Sequence, residues 1–302
     1  MTTTVPSPHP LKVSDGKTRK NRRKKFRLTR LARLVLLYAL LVLIAVIILL
    51  PLAWMVSTSF KPKSQLFLPI IYWIPKRFTW KNYTDLLNDP AIPIIRWFVN
   101  SIGVASVSTV LTLLVDSLAA YAYARMEFAG RNVIFGFMLA TLFLPGMMFL
   151  IPNFVIIANL GLLNTYAGVI LPYLAGVFGV FFLRQFFESL PRELEEAARI
   201  DGANRFQTFY KIALPLAKPA LATLGIITFL ASWNDFLWPL LVLQDSDLQT
   251  LPLGLAMLQG AYTSEYGLMM AGAVIVAIPT LVLFIILQRF VVQSVANAGL
   301  KG

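Results

Sequence analysis

Leu34–Phe60 reads LVLLYALLVLIAVIILLPLAWMVSTSF, 27 residues without a charged side chain. A helix crosses the hydrocarbon core of a bilayer with about 20 apolar residues, so this run is long enough to span. The apolar part of a cleaved leader needs only about 7–15 residues, and the polar stretch ahead of Leu34 is too long for one. The run is therefore expected to be a retained span. Composition agrees: 58% of residues are hydrophobic and only 14% are charged, with a mean hydropathy of +0.71. A soluble domain of this length carries nearly twice that charge.

Five further stretches meet the same length test. They lie within Trp97–Ala122, which contains Asp116, twice within the charge-free Asn132–Leu183, within Pro219–Val242 and within Leu268–Gln288. Asn132–Leu183 has 52 residues, too many for one span. It divides near Ala158-Asn-Leu-Gly-Leu-Leu-Asn164, where glycine and asparagine mark a turn. An isolated strand cannot satisfy its backbone in lipid, so every span should be helical. The expected fold is all-α: a six-helix membrane bundle over residues 34–302, preceded by a basic tail at 1–33.

The net charge of +13 is concentrated in that tail, where eleven Lys/Arg and one acid lie between Lys12 and Arg33. A basic flank on a span is a topology signal and an attraction to anionic lipid headgroups, so no nucleic-acid partner is expected. If the N-terminus is cytoplasmic, the inside segments hold 21 of the 27 Lys/Arg and the outside segments hold 6. The segments Ala158–Thr165 and Gln244–Tyr266 hold none, and the second carries Asp245, Asp247 and Glu265. That asymmetry predicts both termini inside. The outside segment from Lys61 to Arg96 contains Pro69, Pro75, Pro90, Pro93, Trp73 and Trp80, which is loop and interface chemistry. The inverted repeats of many secondary transporters are not visible.

Enzyme chemistry is poorly supplied. There is no cysteine, and the one histidine is His9, so no catalytic or metal site is expected. Gly16-Lys17-Thr18 ends like a phosphate-binding loop, but its first glycine would fall on Leu11 and no strand precedes it. If ATP powers this chain, another subunit binds it.

One polar island, Arg184–Lys218, interrupts the apolar segments. Its centre reads Glu196-Ala-Ala-Arg-Ile-Asp-Gly202-Ala-Asn-Arg205, followed by Ile212-Ala-Leu-Pro215. Pro191–Asp201 has a proline and early acids, as a short helix prefers. Leu194, Ala197 and Ala198 give it a small, shallow face. Gly202 permits a turn with φ > 0. Ala203–Leu214 starts a second short helix, interrupted by Pro215 and Pro219. From composition alone, the pair either lies on the bilayer surface or docks a partner.

The pattern E-A-A-x-x-D-G-A followed by I-x-L-P, the EAA motif, resembles the cytoplasmic loop of importer-type ABC permeases. In that family the short helix docks in a cleft of the ATPase. The positions that match are Glu196, Ala197, Ala198, Asp201, Gly202, Ala203, Ile212, Leu214 and Pro215. The resemblance implies that Glu196 bonds to the ATPase and that Gly202 sets the angle between the two helices. Ala120-Tyr-Ala-Tyr-Ala-Arg-Met-Glu-Phe-Ala-Gly-Arg131, Leu160–Tyr166, Trp233-Asn-Asp-Phe-Leu-Trp-Pro-Leu240 and Ala296–Gly302 are similar to the sugar-importing branch, of the smaller maltose type. The likeness covers the chain from about residue 34 onward. It implies a multi-pass cell-membrane protein that pairs with a second, different permease, two ATPase subunits and an extracytoplasmic solute-binding protein. It also implies that this chain binds no cofactor, ATP and Mg being used by the partner ATPase.

Charge within lipid is expensive and usually faces a bundle interior. Counting along straight helices at about 1.5 Å per residue puts Asp116 roughly 12 Å deep and Asp235 nearer the outer face, so the two are not expected to be partners. Trp233, Asn234, Asp235 and Trp238 suit a carbohydrate path; the alternative is an interfacial tryptophan belt over a hydrogen-bonded core. Pro145, Pro152, Pro172, Pro239 and Pro279 can each bend a helix. The leading expectation is an ABC sugar-importer permease. The alternatives are an ABC permease for a non-sugar solute such as glycerol phosphate, or a secondary transporter driven by an ion gradient. A polytopic enzyme lacks any nucleophile–base or metal cluster.

Overall fold

A computed structural model describes residues 16–66, 72–261 and 265–299, with side chains excluded at 16–30, 32 and 287–299. His9, Leu11, Lys12, Pro69 and residues 300–302 therefore lie outside the described residues. No strand occurs among those described. The chain separates into two compact units, Met1–Trp54 and Met55–Gly302. The first is formed by helix α1 (Gly16–Ser59), which continues through Pro51 and ends in the second unit.

The second unit is organised around one long helix. In chain order it contains α2 (Lys81–Asn88), α3 (Ile94–Arg125), α4 (Arg131–Ala140), α5 (Leu150–Asn159) and α6 (Tyr166–Ile170). There follow α7 (Val177–Ser189), α8 (Arg192–Ile200), α9 (Lys218–Trp233), α10 (Leu237–Val242), α11 (Leu251–Ala261) and α12 (Tyr266–Gly299). Helix α3 is the central strut and packs most extensively against α7 and α9. Between helices in lipid the hydrophobic drive is weak, and close packing of small residues takes its place. The contact surfaces reflect this: Ala120, Ala124, Ala213, Ala217 and Ala220 are buried together with Tyr121, Leu183, Phe187 and Phe209.

By length and apolar content, Arg33–Ser59, Ile94–Arg125 and Tyr266–Ile286 can each cross a bilayer as single helices. The other three expected spans are bent pairs. Arg131–Phe143 meets Gly146–Asn159 at 102°, Tyr166–Tyr173 meets Val177–Ser189 at 49°, and Arg205–Leu216 meets Lys218–Trp233 at 76°. Counting each pair as one span gives six. The first bend has a plain cause: Pro145 disfavours helical backbone at Leu144, whose ψ is 130°. The third corrects an expectation. Pro215 sits in the first turn of Leu214–Leu216, and the break falls after it, at Ala217. Pro219 sits in the first turn of α9, where its missing N–H costs nothing.

The end of the bundle remote from the 184–218 loop is tied by polar contacts. Trp97 Nε1 donates to the Ser246 carbonyl at 2.7 Å, and Asn100 Nδ2 donates to the carbonyls of Asp247 and Gln249 at 2.9 Å each. Arg96 pairs with Asp247 at 2.7 Å. The turn expected near residues 158–164 is present. Gly161 and Asn164 have φ of 69° and 58°, and the Asn164 Oδ1 accepts the backbone amides of Gln244 and Asp245 at 3.0 Å each.

Candidate functional site

The 184–218 loop is a capped elbow. Helix α8 has Glu193 and Glu195 in its first turn and Arg199 in its last, the charge order that complements the helix dipole. It closes through Asp201 N–H to Ala197 O, Gly202 N–H to Arg199 O and Ala203 N–H to Ala198 O, at 2.9–3.0 Å. Gly202 has a φ of 85°, a conformation that costs any L-residue with a side chain roughly 1–2 kcal/mol. Two residues on, Asn204 begins the next helix with a reciprocal cap. Its Oδ1 accepts the Gln207 amide at 2.8 Å, and its own amide donates to Gln207 Oε1 at 2.9 Å. After Arg205–Thr208 the backbone widens into a π turn, Phe209–Ala213, before Leu214–Leu216. Both sides of the elbow are thus closed by their own hydrogen bonds.

The positions named from sequence divide between the two faces of this elbow. Glu196, Ala197, Asp201, Gly202 and Pro215 are exposed, while Ala203, Ile212 and Leu214 are half-buried. Ala198 is buried, so it belongs to the inner face and not to the small outer face expected of it. The outer face carries larger apolar groups that lie outside the motif. Ile200 is 87% exposed and Phe206 68%, with Tyr210 and Leu194 also open.

The residue that fastens the elbow is likewise absent from the motif. Glu195, one position before the motif glutamate, points inward. Its Oε1 lies 3.0 Å from Arg125 Nε, with the two side chains only 8% and 5% exposed. Tyr121 Oη donates to the other carboxylate oxygen at 3.4 Å. Arg125 Nη2 donates to the Leu190 carbonyl at 2.6 Å, bracing the joint between α7 and α8. The Tyr121 ring packs against Phe187 and Phe209, with centroids 5.7 and 5.1 Å away.

Further along α3 a cavity of about 430 Å³ opens between α3, the 169–179 segment and α9. Every fourth residue of α3 from Val104 to Asp116 lines it, and so do Tyr173, Ser232 and Asp235. No Lys or Arg is among the lining residues. Asp116 is fully buried. Neither of its oxygens makes a well-directed hydrogen bond among the described residues, although the Gly176 backbone amide gives some polar contact. The Thr112 hydroxyl one turn away is likewise unsatisfied. Asp235 helps to shape the backbone, since its Oδ1 accepts the Trp238 amide at 3.4 Å at the start of α10. Both carboxylates line this cavity, Asp116 level with Leu224 near the start of α9 and Asp235 beyond its end at Trp233, so the separation in depth expected from sequence is retained.

The two tryptophans are buried in different cores. Trp233 is buried beside Phe229 and Phe98, and its indole N–H donates to Val276 O at 3.2 Å. Trp238 is equally buried, and its N–H donates to Gly168 O at 3.2 Å. Asn234 is exposed and bonds back to Leu230 O at 2.8 Å. A second cavity of about 670 Å³ touches Asn153, Tyr173, Asp235 and the edge of Trp238. Among the described residues no group of three or more His, Cys, Asp or Glu side chains is arranged to hold a metal.

Long and bent apolar helices, a capped polar loop at one end and a largely apolar cavity carrying hydroxyl and carboxylate groups together fit a membrane-embedded transport subunit. Residues 117–297 match the family described as binding-protein-dependent transport system inner membrane component, and the chain belongs to that family. It is 40% identical to AraQ of Halalkalibacterium halodurans, an arabinooligosaccharides transport system permease protein, over 84% of this chain and 91% of that one. It is 34% identical to LacG of Rhizobium radiobacter, a lactose transport system permease protein, over 83% and 90%. A solved bacterial ABC transporter involved in import of the acidic polysaccharide alginate contains a chain of the same fold. That chain superposes with a TM-score of 0.77 at 27% identity, covering 87% of this chain and 97% of its own length. The fold is that of a type I importer permease.

Proposed function

We propose that this chain forms half of the solute pathway of an ATP-driven importer for neutral sugars or oligosaccharides and receives its power through residues 191–215. The observation that carries the reading is the capped, outward-facing elbow at 192–216, with Ile200 and Phe206 exposed on a loop where bare apolar side chains need a partner. Glu196, Ala197, Asp201 and Gly202 would meet the ATPase. Ala198, Ala203, Ile212 and Leu214 would shape the surface from behind, and Pro215 lies exposed on the second arm of the elbow. ATP and Mg would be handled by two ATPase subunits on the cytoplasmic side, because this chain offers no phosphate-binding loop. A second, different permease would complete the pathway, and an extracytoplasmic binding protein would deliver solute. The Lys/Arg asymmetry supports both termini in the cytoplasm and residence in the cell membrane.

For the solute class, relatives named for arabinooligosaccharides and lactose point to sugars. The cavity sharpens this. Hydroxyl and carboxylate groups with no basic residue suit a neutral hydroxylated solute and disfavour an anion such as glycerol phosphate, which sites usually hold with Arg or Lys. Gly202→Pro and Glu196→Lys are expected to insert normally but to lose the ATPase on affinity purification of the tagged permease, and uptake with it. Normal co-purification and normal uptake in both would refute the assignment.

A second reading, transport driven by an ion gradient, draws on the two carboxylates that share the cavity. Uptake that survives removal of the ATPase and follows a proton or sodium gradient would establish it instead.

A further inference from the structure

We infer that the Arg125–Glu195 ion pair makes α3 the element that carries loop movement to the cavity, in preference to the spans joined covalently to the loop. The inference rests on α8 being the helix that meets the ATPase.

The covalent connections of the loop are jointed. Toward α9, the chain passes through the π turn Phe209–Ala213 and then turns by 76° at Ala217. Toward α7, it passes through Leu190 and Pro191 in extended backbone. A push on α8 delivered only through such joints is partly absorbed as bending. The stiff link is lateral. Arg125 pairs with the Glu195 carboxylate on α8 at 3.0 Å, as a charge contact without a well-directed hydrogen bond, and at the same time donates to the Leu190 carbonyl at the joint, in a site closed to water. Burial makes the pair hard to part, because withdrawing either member leaves an uncompensated charge away from water.

Helix α3 itself has no break from Ile94 to Arg125. Nine residues separate Arg125 from Asp116, roughly 13 Å along the axis. From Asp116 the cavity-lining face continues through Thr112, Ser108 and Val104. Any tilt or rotation imposed at Arg125 therefore reaches the cavity wall without crossing a hinge. Arg125 and Glu195 act as positioning residues: they touch neither solute nor nucleotide, and they determine which helix moves.

The chain has no cysteine, so one reporter thiol can be placed at Ser108 in the full complex with its ATPase. The measurement is the labelling rate of Ser108→Cys by a small water-soluble thiol reagent, with and without ATP, Mg and vanadate, alongside ATPase retained on the tagged permease. With the native pair, the trapped state should change the rate by at least about fivefold, the low end of typical coupling. Arg125→Met and Glu195→Gln should retain the ATPase yet reduce that change to less than about twofold, and the exchange Arg125→Glu with Glu195→Arg should recover part of it. Glu195→Gln keeps the shape of the side chain and serves where Arg125→Met inserts poorly. An undiminished ATP response in the single variants overturns the inference and leaves the pair as a fastening only. Loss of the ATPase from the single variants also overturns it, because the pair then builds the docking surface. Failure of the native-pair complex to retain ATPase removes the docking reading itself, a distinct result.

Discussion

The Asp116 carboxyl occupies a niche that exists because residue 179 has no side chain. A Cβ built on Gly179 would lie inside the radius of Asp116 Oδ2, 2.9 Å from Asp116 Cγ and 3.1 Å from Leu224 Cδ2. Carbon atoms rest at about 3.5–4.0 Å, so Gly179→Ala must drive the carboxyl out of its niche or part α3 from α7. Overpacking of this kind costs about 1–3 kcal/mol. Asp116→Ala should be neutral or stabilising, since a buried polar group that lacks a well-directed hydrogen bond carries a penalty of about 1–3 kcal/mol. In the double variant only the milder Leu224 contact remains. Its stability should fall within about 0.5 kcal/mol of Asp116→Ala alone, giving a coupling energy of at least about 0.5 kcal/mol. The four proteins can be compared by chemical unfolding in micelles, followed by tryptophan fluorescence. Strictly additive costs would refute the niche argument, and so would a Gly179→Ala variant as stable as the parent.

Other expectations follow from single contacts. Asn204→Ala removes the half of the reciprocal cap that the Asn204 Oδ1 accepts and should cost about 1 kcal/mol. Its signature is faster limited proteolysis within 192–216 with the spans intact, and unchanged cleavage would count against the capped elbow. Trp238→Phe loses the bond to the Gly168 carbonyl, a loss of about 1 kcal/mol in stability. Solute preference should not change, and an altered KM at unaltered stability would return Trp238 to the solute path. Gly254→Ala sets a methyl inside the Trp97 ring, which is fixed by its bond to Ser246, and should cost about 1–3 kcal/mol. Gly103→Ala, with nothing within 4 Å of the new carbon, is the matched control. Equal effects at the two glycines would contradict the packing described.

How much could be read from sequence depended on the range of the physics involved. The spans were legible because crossing a bilayer is a requirement on length and polarity, both of which a sequence states directly. The bend at Leu144-Pro145 and the positive φ at Gly202 were legible for a similar reason: each follows from the covalent structure of one or two residues. The bend at Ala217 gave no such signal, since neither alanine nor its neighbours forbid a continuing helix, and tertiary packing fixes it. The same holds for Glu195. Three glutamates lie within four positions of α8, at 193, 195 and 196, and nothing local says which one turns inward. The available hint was that Glu195 and Ala198 are three residues apart and share a helix face, opposite an arginine at the end of α3.

The tryptophans show a different limit of the sequence. Trp233 and Trp238 look like one aromatic patch because they are close in sequence, yet α9 ends between them and sends each indole into a different core. Proximity along the chain misleads wherever a helix breaks, and this fold breaks three of its six expected spans. That makes the unbroken α3 informative. It is the one helix that bears the ion pair to the loop at one end, the unsatisfied Thr112 and Asp116 in its middle and the Trp97–Asn100 ties at the other. The bent spans can yield while α3 stays straight. In the coupling proposed above, elbow and cavity would be joined most directly through a helix whose sequence, apart from one aspartate, reads as an ordinary span.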